Sequence, residues 1–233
     1  MGSLEGKAAL VTGGSRGIGA AVAAKLAALG ARVAVTCRDT GPEGFKAIRA
    51  DSADPDAVVA AVEEAAAEFG RLDVLVNNAG VFEVGPLEGL GREEFDHTMA
   101  VNVRAPFLAA RAAARHMREG GRIISIGSNV AVHAPFPGFA LYSASKTALI
   151  GMTKGLARDL GPSGITVNIV NPGPTDTDLN PADGPMAEQI RGLTALGRYG
   201  TPAEIAEVVA ALAGNAGAYV TGAAINVDGG FTV

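Results

Sequence analysis

The sequence predicts an α/β fold, a Rossmann-like doubly wound parallel sheet of about seven strands with helices on both faces. Three observations predict it. Short runs of Val, Ile and Leu alternate with Ala-rich stretches at helical spacing, the pattern of strands buried on both faces. Many of the 32 glycines stand where a strand would hand over to a helix, as turns require. Side chains with chemical capability recur at the carboxyl ends of the predicted strands, where open sheets bind ligands.

The elements follow in order. Residues 7–12 are apolar and end in Gly13-Gly14, which reads as a buried strand. An Ala-rich helix over about 17–29 is stopped by Gly30. Residues 32–36 make a second strand. Val58, Val59, Val62 and Ala66 give residues 54–69 a helical period, with Asp54 as N-cap and Pro55 at the first helical position. A strand over 72–76 ends at Asn77-Asn78-Ala79-Gly80, a long helical region spans roughly 92–118, and 122–126 is a strand. A second long helix, 140–160, is closed by Gly161-Pro162. A strand at 165–170 ends in Asn171-Pro172-Gly173, followed by a helix at 202–213 and a final strand at 223–227. No repeat or linker interrupts this, so one domain spanning 1–233 is expected. Only twelve residues, 39–50, separate Arg38 from Asp51, and they include Gly41-Pro42 and Gly44. That predicts a loop or one turn between strands two and three in place of a helix.

Composition narrows the function classes. A 233-residue chain with 48% hydrophobic residues can bury a large core. A net charge of −5 gives no electrostatic reason to expect nucleic acid. The arginines at 104, 111, 115, 118 and 122 are interrupted by Ala and Glu119 and read as a solvated helix face. Cys37 is the only cysteine, so no internal disulfide forms, as suits a reducing cytoplasm. Residues 1–7 lack the basic stretch and apolar run of a secretory signal and do not fit the myristoylation pattern. No apolar run is long enough to cross a bilayer without charges. A cytoplasmic protein is expected, with no membrane, nucleic-acid or metal partner.

Two local patterns carry chemistry. Thr12-Gly13-Gly14-Ser15-Arg16-Gly17-Ile18-Gly19 joins the first strand to the first helix. Glycines at 13, 17 and 19 allow a tight turn and close approach to a ligand, and the free amides of the helix N-terminus suit a pyrophosphate. An ordinary strand–helix turn is the competing reading. Tyr142-Ser143-Ala144-Ser145-Lys146 sets a phenol and an ammonium one helical turn apart. A free phenol titrates near 10, and a neighbouring cation favours its ionised form, bringing acid/base work into range. By itself such a pair is usually a surface contact. Ser128 suits either a hydrogen bond to a carbonyl oxygen or a plain turn.

Together these residues resemble the short-chain dehydrogenase/reductase superfamily in its simple single-domain branch, over essentially the whole chain. The resemblance includes the 12–19 turn, Asp51, Asn77-Asn78-Ala79-Gly80, Asn102 within Val101-Asn102-Val103, Ser128 and Tyr142-x-x-x-Lys146. It continues through Asn171-Pro172-Gly173 with Thr177 and the ending Tyr219-Val220-Thr221-Gly222 to Asp228-Gly229-Gly230. It implies that Tyr142 exchanges a proton with a carbonyl oxygen that Ser128 holds. Lys146 would bind the nicotinamide ribose and lower the tyrosine pKa, and Asn102 would fix a water linking Lys146 to solvent. The hydride comes from the cofactor. The cofactor's binding residues would be Gly13, Ser15, Arg16, Gly17, Ile18 and Gly19 in the turn, with Cys37, Arg38, Asp51 and Ser52 on the adenosine side. Asn78, Ala79 and Gly80 would lie alongside it, and Pro172, Gly173, Thr175 and Thr177 would hold the carboxamide. The resemblance further implies a homotetramer packed through the two long helices.

Cofactor choice rests on charge. Relatives that prefer NAD carry an acid at the end of strand two, which binds the ribose 2′-hydroxyl and repels a 2′-phosphate. Cys37 stands there, with Arg38 beside it and Arg16 in the turn. Two guanidinium groups favour a 2′-phosphate, hence NADP(H) over NAD(H), although Asp39 could partly neutralise Arg38. The substrate pocket is expected to draw on residues 81–84, 130–139 and 178–195, with His133, Phe136, Phe139 and Leu179 as candidates. That composition favours a ketone or 3-oxoacyl thioester. His133 reads more readily as a solvated loop residue than as a participant. The run from Asp176 to Met186 resembles a subgroup of short bacterial members, some described as biofilm-dispersal mediators that bind a cyclic dinucleotide. A nucleotide-binding regulator with little turnover is therefore one alternative, and an NAD-dependent alcohol dehydrogenase another. Enoyl reductase chemistry is disfavoured by the Tyr–Lys spacing, and an extended epimerase by chain length.

Overall fold

Alternation along the central strands sets the architecture. In the computed structural model, which describes residues 4–233, strand β1 (Ala8–Val11) is fully buried. Ala9 and Val11 face one apolar cluster and Leu10 the other. The strands β2 (Arg32–Cys37), β3 (Lys46–Arg49), β4 (Val74–Asn77), β5 (Arg122–Ile126), β6 (Thr166–Pro172) and β7 (Ala224–Val227) join β1 in one parallel sheet, ordered β3-β2-β1-β4-β5-β6-β7. The order reverses between β1 and β4, opening a crevice beyond their carboxyl ends. Of the N-terminal stretch read for targeting signals, residues 1–3 lie outside the described part.

Helices cover both faces. On one, α1 (Gly17–Ala28) and α7 (Pro202–Ala213) pack together, burying Val22, Leu26, Ile205 and Val209 over β1, β2, β4 and β5. On the other, α2 (Pro55–Phe69) and α4 (Ala105–Ala114) bury Val58, Val62, Ala109 and Ala113, joined by Ala157 of α5 (Ala140–Leu160). Asp54 caps α2 by accepting from the amides of Asp56 and Ala57, and Thr201 with Glu204 closes a capping box on α7. No helix of the described residues is long and apolar enough to cross a membrane.

Three details differ from the sequence expectation. The 92–118 region is not one helix. It comprises α3 (Arg92–Met99), a π-helical turn (Ala100–Arg104) and α4. The wide turn inserts a residue into the helical register and buries Asn102. Arg122 begins β5 and is 8% exposed, so it is not part of the solvated face that carries Arg104, Arg111 and Arg115. A short helix, α6 (Ala187–Gly192), was not foreseen, because six residues are too few to show an apolar period. Residues 39–50 have no helix, and β3 lies just before Asp51, both as expected. The eight-residue connection 38–45 leaves that corner of the sheet without a crossover helix, and Phe45 alone packs against the α1/α7 cluster.

Candidate active site

The crevice is organised by a clasp between two loops. Thr12 Oγ1 accepts from the amides of Asn78 and Ala79, each at 3.0 Å. Asn78 Nδ2 donates in return to the carbonyls of Thr12 at 3.0 Å and Gly13 at 2.9 Å. Thr36 Oγ1 accepts from Gly13 N at 3.0 Å, tying β2 to the same turn. Gly13 turns with φ +63°, in the region glycine favours. A Cβ on Gly19 would stand 2.3 Å from Gly13 O and 2.4 Å from Asn78 Nδ2, so only hydrogen lets the loops close. The turn then delivers the N-terminus of α1, which has neither a side-chain cap nor an acid in its first turn. Amides left without an internal partner, in a positive dipole field, fit an anionic diphosphate.

That N-terminus opens onto a cleft of about 640 Å³. The cleft runs from Cys37, Arg38, Asp51 and Ser52 at one end to Ser128 and Tyr142 at the other. Gly13, Ser15, Arg16, Gly17, Ile18, Gly19, Asn78, Ala79, Gly80, Lys146, Pro172, Gly173, Thr175 and Thr177 border it as well. Every cofactor-side residue singled out in the sequence therefore faces this space. Asn78 does so mainly as a structural clamp, its amide donors being spent on the glycine turn. Arg16 Nη1 lies 4.0 Å from Asp178 Oδ2 across the mouth. Arg38 is exposed, and its carbonyl accepts from Arg49 Nε at 3.0 Å.

Tyr142 and Lys146 occupy successive turns of α5. Lys146 Nζ is buried, donates to Ile126 O at 3.1 Å and lies 5.7 Å from the Tyr142 ring centroid. Burial pulls this ammonium down to about 8. Tyr142 is half-buried, with protein atoms packed around its hydroxyl; burial pushes its phenol up to about 12, and a hydrogen bond from Ser128 pulls the other way. The depression of the tyrosine expected from Lys146 is not found; desolvation governs, and only Ser128 opposes it. Ser128 caps the turn after β5, accepting from Val130 N at 3.4 Å. Asn102 is not in the cleft wall. Its Oδ1 accepts from Val81 N at 2.9 Å, and its Nδ2 donates to Val81 O and to Ser145 Oγ, both at 3.0 Å.

Beyond Tyr142 the cleft is aromatic. Phe82, Phe136, Phe139, Leu179 and Val130 border it, whereas His133 does not. The His133 ring instead lies 6.2 Å from that of Phe231. His97, Val101, Ile190 and Phe231 also line the space. His97, Val101 and Phe231 were missed in the sequence; they come from α3, the π-turn and the segment after β7, and no local pattern signals a meeting made only by tertiary packing.

A family profile described as enoyl-(acyl carrier protein) reductase matches residues 13–232. A short-chain dehydrogenase from Burkholderia cenocepacia J2315, solved in complex with NADP, shares 52% identity and a TM-score of 0.96, covering 99% of each chain. The chain belongs to the short-chain dehydrogenase/reductase family. Within that family, a cyclic-di-GMP-binding biofilm dispersal mediator protein from Escherichia coli K12 is 46% identical over 239 residues, 99% of each chain. A blue fluorescent protein from a metagenomic library, solved with NADPH, is 51% identical with a TM-score of 0.96, covering 99% of this chain and 100% of that one.

The buried lysine makes stability depend on pH in a known direction. Its pKa is lower in the fold than its ordinary 10.5, so between about 8 and 10 the unfolded chain holds more protons there and stability rises with pH. Relative to Lys146→Met, the native protein should gain on the order of 2 kcal/mol between pH 8 and 10, read from urea unfolding at both pH values. A parallel pH response in the two proteins contradicts this.

Proposed function

We propose that the protein is an NADP(H)-dependent carbonyl reductase, reversibly converting a ketone or 3-oxoacyl carbonyl to an alcohol. The observation that carries this is the placement of the Tyr142 phenol beside Ser128 and one turn from buried Lys146, in a cleft continuous with the free N-terminus of α1. NADPH, when bound, supplies the hydride. The α1 amides and the glycine turn hold its diphosphate. Arg16 and Arg38 would hold the 2′-phosphate of NADP(H), the cofactor with which two relatives were solved. Lys146 donates to the ribose hydroxyls.

Ser128 hydrogen-bonds the substrate carbonyl oxygen and polarises it. Tyr142 transfers its phenolic proton to that oxygen as the alcohol forms, and takes it back in oxidation. A phenol held up at about 12 is protonated at neutral pH, the form reduction needs, whereas oxidation gains with rising pH. Asn102 has its side-chain donors committed to Val81 and Ser145, so a water linking Lys146 to solvent would not be held by the Asn102 NH2 group. The one-turn spacing of Tyr142 and Lys146 favours carbonyl over enoyl chemistry.

A second reading, a cyclic-dinucleotide-binding regulator, draws on the Escherichia coli relative and on the corner left open by the 38–45 connection. A homotetramer is proposed from the open faces of α4 and α5. Phe107 is 45% exposed, and an added Cβ at Gly151 or Gly155 meets nothing within 4 Å. Light scattering should give four times the mass of the 23.3 kDa chain; a monomer refutes the assembly.

The deciding experiment follows NADPH and NADH consumption across ketones and 3-oxoacyl thioesters. Tyr142→Phe should lose at least a hundredfold in kcat while still binding NADPH. Clear NADPH binding with no turnover by either protein transfers the case to the regulator. Arg38→Asp should weaken NADPH binding by tenfold or more and NADH far less, by fluorescence titration; equal losses overturn the 2′-phosphate assignment.

A further inference from the structure

The half of the cleft beyond Tyr142 has its own chemistry. Phe82 stands edge-on to Tyr142, with ring centroids 4.8 Å apart. It is followed by Phe139 at 5.9 Å from Phe82 and Phe136 at 6.2 Å from Phe139. All three border the cleft, and Phe82 leaves 46% of its surface uncovered. These are rings facing the space above the proton donor, at centroid spacings where aromatic pairs attract.

The charges are elsewhere. Arg16, Arg38 and Asp51 stand at the nucleotide end, and Asp178 faces Arg16. Lys146 is buried under Tyr142 and bonded to Ile126 O. Arg191, on the segment after β6, is committed to Ala182 O and Glu188, and Arg198 to Glu204. Among the described residues lining the cleft, the lysine and arginines are Lys146, Arg16 and Arg38, none of them within the Phe82, Phe136 and Phe139 cluster, and His97 of α3 is the one imidazole. A carboxylate or phosphate there would be desolvated without a partner. A polyol would set most of its hydroxyls against phenyl rings, which cannot replace their hydrogen bonds to water.

Building on the reductase reading, we propose that this site takes neutral aryl ketones, with the aromatic ring of the substrate packed among Phe82, Phe136 and Phe139 and its carbonyl at Ser128 and Tyr142. Shape and aromaticity are separable, because a cyclohexyl ketone has nearly the volume of a phenyl ketone but no ring quadrupole.

The test measures kcat/KM with NADPH for propiophenone, cyclohexyl ethyl ketone, acetoacetyl coenzyme A and erythrulose. Propiophenone should lead, and should exceed its cyclohexyl counterpart about fivefold, as one or two aromatic contacts allow. Phe136→Leu, which keeps the wall apolar, should reduce that ratio to less than twofold. The ratio is taken within one variant, so partial loss of folded protein cancels. A lead for the thioester or the sugar, or a ratio near one in the native enzyme, overturns the aryl assignment while leaving the reductase reading intact. Calorimetry on the NADP-loaded protein with unreactive benzamide and cyclohexanecarboxamide separates the opposite failure. Tighter benzamide binding without turnover of any ketone keeps the aryl site and removes the reductase. Equal or absent binding of both amides counts against the site.

Discussion

The clasp between Thr12-Gly13 and Asn78-Ala79 is the constraint on which the rest of the structure depends. It joins the ends of β1 and β4, the two strands between which the strand order reverses, and so fixes the gap that becomes the cleft. Four hydrogen bonds close it, in a place where a buried amide left unpaired costs about 1–3 kcal/mol. Gly19 must lack a side chain for the loops to meet, and the same meeting aims the N-terminus of α1 along the floor. A second tie, from Asn102 to Val81 and Ser145, links the next stretch of that loop to α5. The anion-binding end and the proton-donating end are therefore held by one continuous segment, residues 77–82.

The two ends differ in how they treat charge. At the nucleotide end, guanidinium groups and helix amides stand in or near solvent, where they attract an anion over a distance. At the tyrosine end, burial governs and both ionisable groups shift toward their neutral forms. A neutral phenol and an ammonium with a weakened hold on its proton, both in apolar surroundings, respond strongly to whatever enters beside them, because field effects grow as water is displaced. Such a site is quiet until a ligand fills it.

Much of this was legible in the sequence. The strand–helix alternation gave the sheet because Val, Ile and Leu runs bounded by glycine leave few alternatives, and 122–126, 140–160 and 202–213 were read with the boundaries found. The glycine turn and the Tyr142/Lys146 pair were legible because their function needs fixed local spacing. What stayed hidden depends on distant packing. The π-turn around Asn102 has no propensity signal, and the short α6 shows no period. Phe231, far along the chain, reaches the cleft only through the sheet. The shift of Tyr142 upward was also unreadable, since spacing to Lys146 predicts a pull downward and only the surrounding atoms reveal the larger desolvation.

The short connection 38–45 has a consequence for how the molecule behaves in a crowd. It leaves β3 as a border strand without a crossover helix beside it, a template on which a foreign strand could grow. The strand is only four residues long, and Lys46 and Arg49 occupy its two ends. Lys46 is further pinned by Glu64 and Glu68 of α2. Brevity and charge blunt that border against sheet extension. The opposite border, β7, is Ala224-Ile225-Asn226-Val227, with no charge at all. The two rims of one sheet thus resist unwanted pairing unequally, and β7 is the rim at which an added strand meets no electrostatic barrier.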